Sequence, residues 1–175
     1  EKDELGDFKY KWPIIKTTFP QLKRLRVLDF GCGAGQLLQR IVRFFPNNQY
    51  VGADISMEGL KRARKKLPEV KFVKIEDGKK FPFSKNEFDL ILATDVIEHV
   101  YDIPLLLNEW KRILKPNGEI VITTPYFGFI KNIIVSVFGF EKVFDPTGPH
   151  IRFFTDHSLK KTLEKYDFSV TKIFH

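Results

Sequence analysis

An α/β fold on a parallel sheet is what this sequence predicts, and three observations carry it. Short apolar runs of strand length alternate with segments of helical period along most of the chain. One run, Phe88 to Thr94, is almost wholly apolar, as a central strand covered on both faces has to be. A glycine-rich turn with Gly31, Gly33 and Gly35 follows the first run and opens the first periodic segment.

The elements follow in order. Leu25 to Phe30 is the first strand. Leu37, Leu38, Ile41, Val42 and Phe45 recur at three- and four-residue steps, so 35–45 is helix, stopped by Pro46-Asn47-Asn48. Gln49 to Asp54 is the second strand. Ser56 caps the next helix, with Glu58 in its first turn, and Pro68 ends it. Val70 to Ile75 is the third strand and Phe88 to Thr94 the fourth. Asp102 caps a helix with Pro104 in its first turn and Leu106, Trp110, Ile113 and Leu114 as its buried stripe. Pro116-Asn117-Gly118 reads as a turn before a fifth strand, Glu119 to Thr124. Thr155 caps a last helix carrying Leu159, Leu163 and Tyr166, and Phe168 to Phe174 reads as a final strand.

Size and composition fit one domain, 1–175. The chain has 175 residues, 43% hydrophobic, enough for a core, and 29% charged. No apolar run reaches the ~18 residues of a membrane span. Glu1-Lys2-Asp3-Glu4 has no signal-peptide core, so a cytoplasmic location is the expectation. A single Cys leaves no disulfide framework and no multi-Cys metal site. The net charge of +7 suits an anionic partner such as nucleic acid or a lipid headgroup. Its densest run, Lys61-Arg62-Ala63-Arg64-Lys65-Lys66, reads first as a solvated helix face whose cations favour the helix dipole.

The segment 126–149 breaks the alternation with an apolar insert that includes Phe127, Phe129, Ile133, Val137 and Phe138. It follows the fifth strand, at the carboxyl edge of the sheet, where ligands bind in such folds. A lid is the reading its place favours. A lipid-facing surface and a homodimer contact are the others.

Glycines at a strand-to-helix turn let a ligand approach the backbone, which points to a nucleotide-type cofactor. Two details choose among cofactors. The dinucleotide pattern wants a glycine three residues after the second, and Gln36 stands there. Asp29, at the strand's end, would repel a pyrophosphate. S-adenosylmethionine (SAM) has no phosphate; it carries a sulfonium and an ammonium that suit a carboxylate, and its own carboxylate suits helix N–H groups. Asp54 ends the second strand, 19 residues after Gly35, where an acid accepts from ribose hydroxyls.

At this point the sequence resembles the class I SAM-dependent methyltransferases, and most of all the group that includes the ubiquinone and menaquinone biosynthesis methyltransferases. Matching segments run in order: Val27-Leu28-Asp29-Phe30-Gly31-Cys32-Gly33-Ala34-Gly35, Val51-Gly52-Ala53-Asp54-Ile55-Ser56, Asp77 through Phe81-Pro82-Phe83 to Phe88-Asp89, Asp95-Val96-Ile97-Glu98-His99-Val100, and Leu114-Lys115-Pro116-Asn117-Gly118-Glu119. The similarity covers residues 25–125. It implies a three-layer α/β/α Rossmann-like, doubly wound sheet, mostly parallel. The family's sheet ends on a sixth strand and an antiparallel seventh. Here one strand-like run follows the last helix, so the antiparallel strand is missing or the edge is built differently.

The resemblance also implies roles. Asp29, Gly31, Cys32, Gly33 and Gly35 would hold the methionine part of SAM, Asp54 and Ile55 the ribose side, and Asp77 with Gly78 the adenine, Glu76 being the alternative to Asp77. Thr94 and Asp95 would lie near the sulfonium and the acceptor, and S-adenosylhomocysteine would be the product. Methyl transfer needs a base only where the acceptor loses a proton, and histidine is suited to that near neutral pH. His150, after the insert, and His99, after the fourth strand, are the candidates. His157 and His175 read as surface residues. Arg152 would contact an anionic acceptor or pair with an acid. Tyr10 and Trp12 read as ordinary aromatic packing.

The expectation is a methyltransferase for a small-molecule, sugar-derived or lipid-like acceptor. Nucleic-acid methylation is the weaker reading, since Thr94-Asp95-Val96-Ile97 stands where a base-methylating enzyme would carry an Asn-Pro-Pro-Tyr type motif. An NAD-dependent oxidoreductase is opposed by Asp29 and Gln36. A non-catalytic SAM-binding domain is the remaining alternative.

Overall fold

The computed structural model describes residues 12–17, 24–128, 133, 135, 137–138 and 151–174. A short helix, α1 (12–17), precedes β1 (Arg26–Phe30), α2 (Gln36–Phe44), β2 (Gln49–Asp54), α3 (Met57–Lys66), β3 (Lys71–Lys74) and β4 (Phe88–Thr94). A 3-10 turn (Ile97–His99), α4 (Ile103–Ile113), β5 (Leu114–Thr123) and α5 (Asp156–Glu164) complete the described elements.

The five strands pair in the order β3-β2-β1-β4-β5, every ladder parallel. The chain winds outward one way from β1 to β3, then crosses to β4 and continues the other way. The switch point therefore lies between the carboxyl ends of β1 and β4, where such sheets open a crevice.

Period-two alternation sends side chains to two cores. Val27, Leu90 and Leu92 pack with Leu38 and Ile41 of α2, Leu60 and Ala63 of α3, and Ile15 of α1. Leu28, Phe30, Ile91 and Ala93 pack on the other face with Leu106, Trp110 and Ile113 of α4 and Leu163 of α5. Trp12 stacks on Phe44, ring centroids 4.8 Å apart, which is the packing role expected of it.

The helix starts follow local chemistry. Ser56 accepts from the Gly59 N–H, Asp102 from Leu105 N–H, and Thr155 forms a reciprocal capping box with Ser158. α2 starts differently. Its N-cap is Gly35, in the left-handed region at φ 73°, with no side-chain cap and no acid in the first turn.

Two expected elements change. β5 begins at Leu114, which already pairs with Phe88; its next partner pair is Leu90 with Glu119. The Pro116-Asn117-Gly118 segment is thus a bulge within the strand, with Asn117 at φ 61°. The expected strand Phe168–Phe174 carries no ladder. Phe168 and Val170 pack against the core, so its alternation reports burial alone. Among the described residues no helix is long and apolar enough to cross a membrane.

Candidate functional site

A cavity of about 410 Å³ opens at the switch point, within the ~300–1,000 Å³ common for small-molecule sites. Asp29, Gly31, Cys32, Gly33 and Thr94 line it, as do Gln36 and Leu37 at the start of α2 and Ser56, Gly59 and Arg62 at the start of α3.

The glycine turn shapes this cavity. Gly31 sits at φ 79°, and a Cβ there would collide with Val96 Cγ2. Gly33 sits at φ 51°, and a Cβ there would meet nothing within 4 Å, so its backbone faces open space. The Gly33 N–H donates to Asp54 Oδ2 at 2.7 Å, while Asp54 Oδ1 accepts from the Ser56 N–H at 2.7 Å. Asp54 therefore ties the glycine turn to the β2–α3 turn. Beyond it, Ile55 is 62% exposed.

Asp29 is the anomaly of the site. It is 1% exposed, it lines the cavity, and neither carboxylate oxygen has a hydrogen-bond partner among the described residues. Burial, and then the charge of Asp54, raises its carboxyl to about 7. Cys32 shares this environment. Burial and the charges of Asp29 and Asp54 push its thiol well up, which keeps it from acting as a nucleophile.

The end of β4 and the segments that follow it are laced together. Asp95 stands at φ 53°, its N–H donating to Thr123 O at 2.9 Å and its Oδ1 accepting from Thr123 Oγ1 at 2.9 Å. The carbonyl of Glu98 accepts from the Ile151 and Arg152 N–H groups, both at 3.1 Å. Arg152 donates through Nε to Val100 O at 2.9 Å and through a second nitrogen to Tyr101 O. It thus clamps the two segments together and has no acidic partner among the described residues. Phe127 N–H donates to Phe154 O at 3.0 Å, so both ends of the insert are fastened here.

The Glu98 side chain is 1% exposed, both oxygens lack a partner, and burial holds its carboxyl above the usual range. The sequence reading placed Glu98 only inside a motif, since burial leaves no mark on a lone acid after a strand. Arg62 and Gly59 were also missed as cavity residues, one read as solvated face and the other as ordinary helix.

Other expected residues stand apart. His99 is exposed in the 3-10 turn and does not line the cavity. Asp77 and Gly78 form an exposed turn outside its lining, where Asp77 Oδ1 accepts from the Gly78 N–H at 3.0 Å. His150, Tyr10 and His175 lie outside the described residues. His157 is exposed in the first turn of α5, as expected of a surface residue. In the insert, residues 133, 135, 137 and 138 are helical and Phe138 is 85% exposed.

The model of a methyltransferase-domain family matches residues 9–173. The chain belongs to that family, the class I SAM-dependent methyltransferases. A ubiquinone biosynthesis O-methyltransferase of Rhodopseudomonas palustris is 31% identical over 86% of this chain and 61% of its own length. A malonyl-[acyl-carrier protein] O-methyltransferase of Legionella pneumophila is 35% identical over 57% of this chain and 36% of its own. The chain thus spans less than two thirds of the curated relatives it matches. Among solved structures, an S-adenosylmethionine-dependent methyltransferase of Mesorhizobium loti superposes with a TM-score of 0.72 at 18% identity, over 93% of this chain and 82% of that one.

The methyltransferase cofactor can be tested against this site directly. SAM brings two cationic centres and a carboxylate. The orphaned Asp29 matches the cations, the uncapped start of α2 matches the carboxylate, and the bare Gly33 backbone leaves room between them.

Proposed function

We propose that this chain transfers the methyl group of SAM to a small-molecule or lipid-like acceptor. The observation that carries the reading is Asp29, a buried, unpartnered carboxylate facing a cavity beside a helix N-terminus. A pyrophosphate there would meet a like charge, which disfavours the NAD reading.

When bound, SAM supplies a methyl group on a cationic sulfur. Asp29 neutralises the positive charge it faces. The first N–H groups of α2 and the Gly33 backbone orient the amino-acid part. Asp54 retains lone pairs for ribose hydroxyls while holding Gly33 and Ser56. Exposed Ile55 offers an apolar face beside it, and Asp77 with Gly78 serves the adenine. Thr94 lines the cavity and Asp95 follows it at the end of β4, toward the acceptor. Together these residues orient the methyl group of SAM for in-line transfer to an acceptor nucleophile. Orientation carries most of this step. Where the acceptor must lose a proton, His150 or His99 takes it. The acceptor class rests on the O-methyltransferase relatives and on the exposed Ile133, Val137 and Phe138 of the insert.

Calorimetry tests the reading with SAM, S-adenosylhomocysteine and NADH titrated separately. SAM binds with NADH showing no heat if the reading holds. NADH binding tighter than SAM contradicts it.

A further inference from the structure

The surface charge is not spread over the molecule. Helices α2 and α3 hold seven cations against one acid, Glu58, a net of +6 in a chain whose total is +7. All seven cations are exposed, and the two helices lie side by side on one face of the sheet through Leu38, Ile41, Leu60 and Ala63. Cations in the last turn of α3 and Arg43 in the last turn of α2 complement the helix dipoles, but Arg40 and Lys61 are outside those turns. Arg64 donates to Phe72 O and Arg62 pairs with Glu58. Arg43, Lys61, Lys65 and Lys66 meet no acidic partner among the described residues.

A groove of about 500 Å³ runs between the C-terminal ends of the two helices, with Val42 and Leu67 as its apolar part and Arg40, Arg43, Gln39 and Glu69 around them. Exposed Phe44 adds apolar surface at the same end. The cofactor cavity lies at the other end of the same helix pair, at Gln36, Leu37, Gly59 and Arg62. The two openings share no lining residue, Leu37 and Gln39 being their nearest on α2 and Arg62 and Leu67 on α3 and its C-cap.

We infer that this basic, apolar-floored groove docks an acidic amphipathic helix of a protein partner, apart from the methyl-transfer site. The charge selects an acidic ligand and steers its approach. The apolar floor selects a helix that lays a hydrophobic side chain between flanking acids. A phosphate backbone has no use for Val42 and Leu67. The inference is independent of which acceptor is methylated.

The test uses a fluorescein-labelled synthetic helix of about 18 residues, roughly 27 Å long, with a leucine stripe and glutamates on its other faces. Anisotropy is read against the whole chain and against the double variant Arg43→Glu/Lys66→Glu, both residues being clear of the cavity. Saturable binding that weakens tenfold or more in the variant, with unchanged melting temperature and SAM affinity, is the expected result. Equal binding by the variant overturns the inference, as does no binding. It is likewise overturned if a glutamate peptide without the leucine stripe, a single-stranded RNA oligonucleotide or a phosphatidylglycerol vesicle binds more tightly than the helix.

Discussion

Glu109 and Asp29 are both buried carboxylates, and their regions treat them in opposite ways. Glu109, on α4, is 6% exposed and fully engaged. Arg112 meets it through Nε and a terminal nitrogen, each at 2.6 Å, and the Phe81 N–H donates to it at 2.7 Å. Arg112 also donates to Phe83 O at 2.7 Å and Phe81 O at 3.0 Å. Its hydrogen bonds hold the Glu109 carboxyl below its ordinary range. This pair fastens the loop before β4 to α4. Asp29 is buried as deeply with no such company, and its carboxyl is raised. A native interior leaves few polar groups unsatisfied. One that faces a cavity therefore marks a place kept for a ligand, whereas the satisfied one marks a structural joint.

Removing one partner from each region sharpens the contrast. Arg112→Ala leaves Glu109 buried and unpaired. We expect a loss of about 3 kcal/mol in urea unfolding, the low end of the ~3–5 kcal/mol range because Arg112 is partly exposed. Asp54→Ala removes a smaller, more local set of bonds. SAM affinity should fall tenfold or more, about 1.4 kcal/mol, with the fold intact by circular dichroism. Unchanged affinity would remove Asp54 from the ribose role.

Glu98 gives the smallest effect and the clearest sign. Its folded pKa is raised, so the stability that its neutral form allows is present at low pH and lost as pH rises through that value. Glu98→Gln is neutral at every pH. The variant should melt about 2–4 °C higher than the parent at pH 8, by thermal scanning, with the gap closing as pH is lowered. A variant that melts lower at pH 8 would mean that the ionised form is stabilised.

The same contrast explains what was legible in the sequence. β2 and β4 fall where the apolar runs Gln49–Asp54 and Phe88–Thr94 put them, because Asn, Asp and Ser bound those runs. The caps at Ser56, Asp102 and Thr155 were equally readable, since capping is a local event. The start of β5 was hidden, because Pro116-Asn117-Gly118 looks like a turn whether it ends a strand or bulges within one. Phe168–Phe174 misled for the opposite reason: alternation shows which residues are buried, not whether a neighbour pairs with them. In the site, Asp29 and the glycines were legible from spacing. The cavity role of Arg62, the clamp made by Arg152 and the burial of Glu98 arise from contacts between segments far apart in the chain.

The central claim is that Asp29 is held for the cation of SAM, and the pH dependence of SAM affinity tests it most directly. Calorimetry between about pH 5.5 and 6.8 keeps the ligand's own ammonium mostly protonated. Below about 7 the free protein carries a neutral Asp29, so binding a cation must first release that proton. Affinity should therefore rise with pH across this window in the parent chain. In Asp29→Asn it should be weaker and flat. A flat parent profile, together with undiminished affinity in Asp29→Asn, would contradict the account.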